Sequence, residues 1–219
     1  MGDVFTGFPD ETIAWYQGLE ADNSRAYFSD HRDDFDRDVR RPMAELVAAL
    51  EGEFGPAVLF RPHRDIRFSK DKSPYKTHQG AFAAVDAGIG WYVQVSSSGL
   101  LTGGGFHHHA PDQVSRYRTA VDDDSTGTVL QRVVDHLVTT GYSLDGDRLA
   151  TRPRGVDPGH PRVELLRFRS LTALRDHGIP GWLATPEALD RVRADWRAYR
   201  PLVEWVVTHV GPAAEPARR

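Results

Sequence analysis

The first third of the chain carries apolar residues at helical spacing. Pro9 and Asp10 begin one such segment, and residues 22–24 interrupt it before a second segment that runs to Phe35. Pro42 suits the first turn of a third helix, and a glycine at position 55 suits its end. The pattern therefore predicts three helices before residue 56.

After residue 56 the pattern changes to short, β-favouring stretches separated by turn residues. The predicted strands are 58–60, 65–68, 79–85, 91–95 and 99–102, with a hairpin loop at 96–99. Helices are predicted again at 111–121, 127–139 and about 186–209. Helices, then a sheet, then helices are typical of the α+β class, with a mainly antiparallel sheet of four to five strands flanked by N-terminal and C-terminal helices.

Length and composition narrow the class of protein. A chain of 219 residues predicts a single α+β domain over residues 1–211, followed by a disordered tail at 212–219. No apolar run approaches the ~18 residues of a membrane span, so we expect a soluble, cytoplasmic protein with no membrane partner. The absence of cysteine excludes disulfides, thiolate zinc sites and iron–sulfur clusters. The net charge of -4 argues against general nucleic-acid binding.

Lysine is confined to one short segment of the chain. Of the 27 basic residues, three are lysines, at positions 70, 72 and 76, and the other 24 are arginines. Lysine differs from arginine as a compact, mobile charge whose pKa can shift. Residues 63–78 hold five cations and two anions, hence a formal charge of +3. This clustering indicates a site that needs ammonium groups.

The side chains of this basic segment suit an anionic ligand. On the predicted strand 65–68, Asp65 and Arg67 share a face, so we expect them to pair and fix the guanidinium. The Ser-Pro pair at 73–74 predicts a rigid loop that brings Tyr75 and Lys76 towards the end of that strand. The candidate ligand-binding residues are Asn23, Arg64, Asp65, Arg67, Lys70, Lys72, Ser73, Lys76 and Arg154. The alternative is a solvated loop whose charges pair with one another.

The sequence also resembles a known family. Residues 64–78, RDIRFSKDKSPYKTH, resemble the hallmark of an uncharacterised group, domain of unknown function 2461. Other matches are an early helix motif (Asn23, Arg25, Phe28 and Arg32), a glycine-rich strand end (103–105) and a later loop motif (Pro153, Gly155, Asp157, His160 and Pro161). Tyr27 and Val156 stand where the family usually has tryptophan and another aromatic. The resemblance covers most of the chain and implies a common α+β fold without an established activity.

Three further stretches bear on chemistry. Gly103–Gly105 lacks the Gly-Lys-Ser/Thr ending of a phosphate loop, so a bulge or a close approach of another backbone or a ligand is predicted. In the run 107–109, His107 and His109 could share a face, but a metal would need a third ligand such as His63, His78 or His160. We assign no metal ligand, and the cofactor is unknown.

The rigid loop 152–161 is predicted to form a wall over a site, because it is rich in proline and glycine and carries two arginines and His160. A histidine there could transfer protons near neutral pH.

Three main functions remain open, beside metal-dependent chemistry through His107 or His109. The first is an enzyme or binder for a small phosphate- or carboxylate-bearing ligand, with Tyr75 or His160 as the catalytic proton-transfer group. The second is a module that contacts the nucleic-acid backbone, which the overall acidity argues against. The third is a structural or oligomerisation role for the charged segment. The sequence indicates neither a reaction nor an oligomeric state.

Overall fold

The computed structural model describes residues 4–65, 67, 70–107 and 110–214. Within these ranges the chain has the α+β architecture that the sequence predicts. The α-helices are α1 (Asp10–Ala21), α2 (Arg25–Asp30), α3 (Arg32–Asp34), α4 (Arg41–Phe54), α5 (Pro111–Asp122), α6 (Asp124–Thr139), α7 (Val163–Leu166) and α8 (Glu187–His209). A π-helical segment (Phe35–Arg40) joins α3 to α4, and a 3₁₀ turn (Gly181–Ala184) precedes α8. The strands are β1 (Ala57–Leu59), β2 (His78–Asp86), β3 (Ile89–Ser96), β4 (Gly99–Phe106), β5 (Ser143–Asp145) and β6 (Leu171–Gly178).

The six strands form one antiparallel sheet in the order β1-β2-β3-β4-β6-β5. At one edge Ala57 lies opposite Ala83, and at the other Ser143 lies opposite Leu174. The predicted number of four to five strands is therefore too low. β5 was missed because it has only three residues, and β6 because its second half, Arg-Asp-His-Gly, is polar.

The predicted strand at 65–68 is wrong for the two residues of it that the structure describes. Asp65 and Arg67 lie in a loop, while residues 66 and 68 are outside the described ranges. The two side chains pair with each other across one intervening residue, with Arg67 Nη2 2.7 Å from Asp65 Oδ2. The mutual pairing expected from the sequence is present, although neither of the two residues lies in a strand.

The helical run Arg32–Phe54 also differs from expectation, because it passes without a break through the π-helical segment instead of beginning at Pro42. A π-helical turn widens the helix and disturbs the regular backbone hydrogen bonds. Here the buried hydroxyl of Thr12 donates to the backbone carbonyl of Asp38 at 2.6 Å. This bond supplies that carbonyl with a donor from another helix.

The described residues fall into two compact units, and the first comprises residues within 1–83, 92–102 and 176–194. Its core is an aromatic cluster in which the ring of Trp15 lies 4.9 Å from Phe35 and 5.7 Å from Phe28. The indole N–H of Trp15 donates to the carbonyl of His31 at 3.1 Å. The apolar side of α1 that carries Trp15 thus packs against α2 and the π-helical segment.

The second unit comprises residues within 84–91, 103–175 and 195–219. Gly104 packs against α8 so closely that a Cβ at this position would lie 2.6 Å from the Cβ of Tyr199. Gly105 has φ +137°, and a Cβ there would lie 2.4 Å from the carbonyl oxygen of Leu171. The glycine run therefore permits close packing within this unit, as predicted for a close backbone approach.

Two further expectations concern the whole chain. The single-domain boundary at residue 211 stays a prediction, as does the disorder of residues 212–219, of which only 212–214 are described. None of the helices within the described ranges is both long enough and apolar enough to cross a membrane.

Candidate functional site

The hallmark loop, residues 64–74 of the motif noted in the sequence, has its two ends paired with each other in the first unit. The backbone N–H of Arg64 donates to Pro74 O, and that of Lys76 donates to Pro62 O, both at 2.8 Å. His63 faces Tyr75 in an antiparallel bridge. The base of the loop is therefore a short hairpin, which fixes the positions of Pro62 and His63 and of Arg61 just before them.

A single asparagine anchors this hairpin to the N-terminal helices. The side chain of Asn23 donates through Nδ2 to Tyr75 O and accepts through Oδ1 from Tyr75 N–H, each at 3.1 Å. The ring of Tyr75 stacks on Phe28 with centroids 4.2 Å apart and an interplanar angle of 10°. Tyr75 is only 6% exposed. Both residues therefore support the hairpin, and the catalytic role of Tyr75 stays a prediction.

The charged side chains of the loop pair with one another. Arg64 forms an ion pair with Asp71, and Asp71 also accepts from the backbone N–H of Ser73 at 2.9 Å. These bonds lower the pKa of Asp71, those from the Ser73 backbone and hydroxyl most and that from Arg64 next. The pKa of Asp65 is likewise lowered, chiefly by the hydrogen bond from the Arg67 guanidinium. Two of the arginines expected to bind a ligand are thus already occupied.

The three lysines differ in their surroundings. Lys70 and Lys72 are exposed, whereas Lys76 is half-buried with its Nζ 5.0 Å from the ring centroid of Phe60. Burial lowers the pKa of Lys76, and the nearby charge of Arg61 lowers it further. Neither Lys76 nor Arg61 forms an ion pair with a carboxylate of the described residues. Two like charges are therefore held near each other, although the charge of Arg61 also acts on the carboxylate of Asp65.

A cavity of about 250 Å³ lies beside this pair of cations. Its lining comes from α3, from the π-helical segment and from the chain that leads out of β1: Arg32, Phe35, Asp36, Arg40, Leu59, Phe60, Arg61, Pro62 and His63. Phe60 belongs to the wall and also contacts the ammonium group of Lys76. The cavity is thus adjacent to the base of the hallmark loop.

The lining of this cavity is positively charged. Asp36 is the single carboxylate in the lining, with its Oδ2 3.2 Å from Arg32 Nε and its Oδ1 3.9 Å from Arg40 Nη1. Arg61 adds a third guanidinium, so three cations share one anion even when His63 is counted as neutral. Such a surplus of guanidinium groups around a concavity favours a phosphate or carboxylate ligand.

Sequence reasoning missed most of this lining. Arg32 was noted only as part of a family motif, whereas Asp36, Arg40 and Arg61 were not singled out. The position of Arg61 just upstream of the hallmark was the available signal. No comparable signal marked Asp36 and Arg40, because the π-helical segment that places them has no distinctive sequence pattern.

Two predicted site residues, Arg154 and His160, belong to the second unit. His160 accepts through Nδ1 from the backbone N–H of Arg162 at 3.0 Å, and its Nε2 lies 3.3 Å from Asp122 Oδ1. Both ring nitrogens are therefore occupied within this unit. Arg154 is exposed. A ligand-binding role for Arg154 and a catalytic role for His160 stay predictions.

The histidine run is only partly described. The backbone N–H of His107 donates to Gly88 O at 3.0 Å, and His108 and His109 lie outside the described ranges. The described part of the chain contains no group of three or more His, Asp or Glu side chains placed to hold a metal ion.

Comparison with known proteins gives the family but not its chemistry. The chain belongs to the conserved hypothetical protein family DUF2461, whose model matches residues 11–205. The match includes the hallmark loop, the π-helical segment and the whole lining of the cavity. No curated protein and no solved structure matches the sequence significantly. The family therefore agrees with the resemblance seen in the sequence, and function has to be argued from the site.

Proposed function

We propose that the first unit binds a small anionic ligand, bearing a phosphate or carboxylate group, in the cavity beside the hallmark loop. The observation that carries this proposal is the charge of the lining, where three guanidinium groups share the single carboxylate of Asp36. A guanidinium offers a planar pair of N–H donors that matches both kinds of anion.

The proximity of Arg61 and Lys76 also supports an anionic ligand. Their mutual repulsion lowers the pKa of Lys76 in addition to the effect of burial. An anion bound between them would relieve this repulsion and so favour the charged form of the lysine. The π-helical wall is a second supporting feature, since such segments occur frequently at functional sites.

The shape of the site favours a small molecule over a nucleic-acid backbone. A cavity of about 250 Å³ is concave and short, whereas backbone binding needs an extended basic surface. The ion pairs Arg64–Asp71 and Arg67–Asp65 support a structural role for these four residues, which is compatible with ligand binding at the base of the loop. The arrangement supports binding, and no proton-transfer step is assigned to it.

Isothermal titration of the full chain with inorganic phosphate and with acetate tests the proposal. Arg61→Gln should weaken phosphate binding about tenfold. A hydrogen bond to a charged group contributes ~1.5–3 kcal/mol, and we expect the lower end of this range because Arg61 is exposed. Arg132→Gln is the matched control, since Arg132 is an exposed arginine of α6 in the second unit. Equal affinities for both variants, or no binding of any anion by the wild type, would overturn the proposal.

A further inference from the structure

Lys76 is the lysine at the base of the hallmark loop, where its backbone N–H donates to Pro62 O at 2.8 Å. This bond fixes the residue within the hairpin, and its half-buried side chain places Nζ 5.0 Å from the ring centroid of Phe60. Phe60 belongs to the wall of the cavity. The amine of Lys76 is therefore held against the cavity wall, whereas Lys70 and Lys72 are exposed.

The groups around this amine favour its uncharged form. The ring of Phe60 attracts an ammonium group but carries no full negative charge. Burial, and then the charge of Arg61, lowers the pKa of Lys76. The positive charge of Lys76 in turn acts on the half-buried His78. Placing a lysine beside another cation is a recognised way of activating its amine as a nucleophile.

The residue type at position 76 is informative because the chain otherwise uses arginine. Of its 27 basic residues, 24 are arginines. An arginine binds phosphate or carboxylate through a planar pair of donors, but it stays protonated and does not act as a nucleophile. Anion binding alone is therefore served by arginine, while a lysine adds an amine that can attack a carbonyl carbon.

We propose that the anionic ligand also carries an aldehyde or ketone group, and that the amine of Lys76 condenses with this group to form an imine. The nitrogen of the uncharged amine attacks the carbonyl carbon to give a carbinolamine. The carbonyl oxygen then leaves as water with the two hydrogens of the amine, and a carbon–nitrogen double bond remains. The inference rests on the proposed function, because Arg61 of the same site binds the anionic group.

Reductive trapping of the imine in the full chain tests the inference. Cyanoborohydride converts the imine to a stable secondary amine, and peptide mapping by mass spectrometry then measures the label on each of the three lysines. The probe is glycolaldehyde phosphate at about pH 7.5, and we expect about tenfold more label on Lys76 than on Lys70 or Lys72. These two exposed lysines are internal controls, because they belong to the same basic segment.

Two comparisons separate recognition of the anion from reactivity of the amine. Glycolaldehyde lacks the phosphate, so the excess of label on Lys76 should fall to about threefold or less. The same fall is expected when Arg61→Gln is labelled with glycolaldehyde phosphate, while the control Arg132→Gln should keep the wild-type excess. The comparison of the two aldehydes uses the wild type and does not depend on the folding of a variant.

Failure of the inference and failure of the proposed function give different results. If glycolaldehyde phosphate labels the three lysines equally, the inference is wrong, while phosphate binding in the titration still supports the proposed function. If Lys76 leads equally with both aldehydes, its amine is reactive without recognition of the anion, and the inference is wrong. If no anion binds in the titration, the proposed function is overturned and the inference with it.

Discussion

Replacing Asn23 by alanine should destabilise the first unit through the hairpin that it anchors. The change removes two hydrogen bonds of 3.1 Å, one to the backbone N–H and one to the carbonyl of Tyr75. Each is worth about 0.5–1.5 kcal/mol net. Because Tyr75 is only 6% exposed, its two backbone groups are poorly placed to bond to water instead. We expect the free energy of unfolding to fall by about 2–3 kcal/mol, near the upper end of that sum.

Urea denaturation followed by tryptophan fluorescence measures the loss, and hydrogen exchange locates it. The amide of Tyr75 should lose more protection than those of Arg64 and Lys76, which keep their own backbone acceptors across the hairpin. Gln17→Ala, at an exposed position of α1, is the control and should change stability by less than about 0.5 kcal/mol. A change in Asn23→Ala no larger than that of the control would refute the anchoring role.

Two further predictions concern packing and pH. Gly104→Ala should lower the free energy of unfolding by about 1–3 kcal/mol in urea denaturation, because its Cβ would lie 2.6 Å from the Cβ of Tyr199. The control Gly52→Ala, in a helix and with nothing within 4 Å of its Cβ, should raise the free energy of unfolding by about 0.5–1 kcal/mol. Equal effects of the two variants would contradict the close packing of Gly104. Burial, and then the charge of Lys76, lowers the pKa of His78 below its ordinary 6.5, so the unfolded chain binds more protons and stability falls as pH drops through the range below 6.5. His78→Gln should flatten the dependence of unfolding free energy on pH between about 7 and 5, and an unchanged slope would exclude His78 as its source.

Helical periodicity was sufficient to locate the long helices, because their buried residues repeat along one side. In α8 this side consists of Val192, Trp196, Tyr199, Leu202, Val203 and Val206, all at most 1% exposed. The same reasoning could not detect β5, since three residues are too few to show alternation. β6 lies beside β4 in the sheet although about 65 residues separate them in the sequence, and no local signal encodes such a pairing.

The π-helical segment was unpredictable for a more specific reason. Phe35, Val39 and Met43 are all buried and are spaced by four, a spacing that an ordinary α-helix accepts as well. The extra residue per turn is therefore invisible in the apolar pattern.

The sequence directed attention to the basic segment 64–76, whereas the cavity is lined by residues that precede it in the chain. The distribution of lysine drew attention to residues 70–76, and of the three lysines there Lys76 contacts Phe60 in the wall of the cavity. The arginines within the hallmark are paired with its own aspartates, as the alternative reading of a self-paired loop anticipated. Residue type alone does not reveal which cations form ion pairs within the loop, because the pairing depends on an irregular backbone that sequence periodicity does not predict.

The π-helical segment also makes the lining of the cavity sensitive to the insertion or deletion of a single residue. Each residue of an α-helix turns the chain by about 100°, so deleting one residue within Phe35–Arg40 would restore regular α-helix and rotate Arg32 by about that angle relative to Arg40. The buried side of α4 would keep its register, and the cavity would lose one wall. A one-residue insertion or deletion is thus a short evolutionary route by which members of this family could gain or abandon the site without rebuilding the fold.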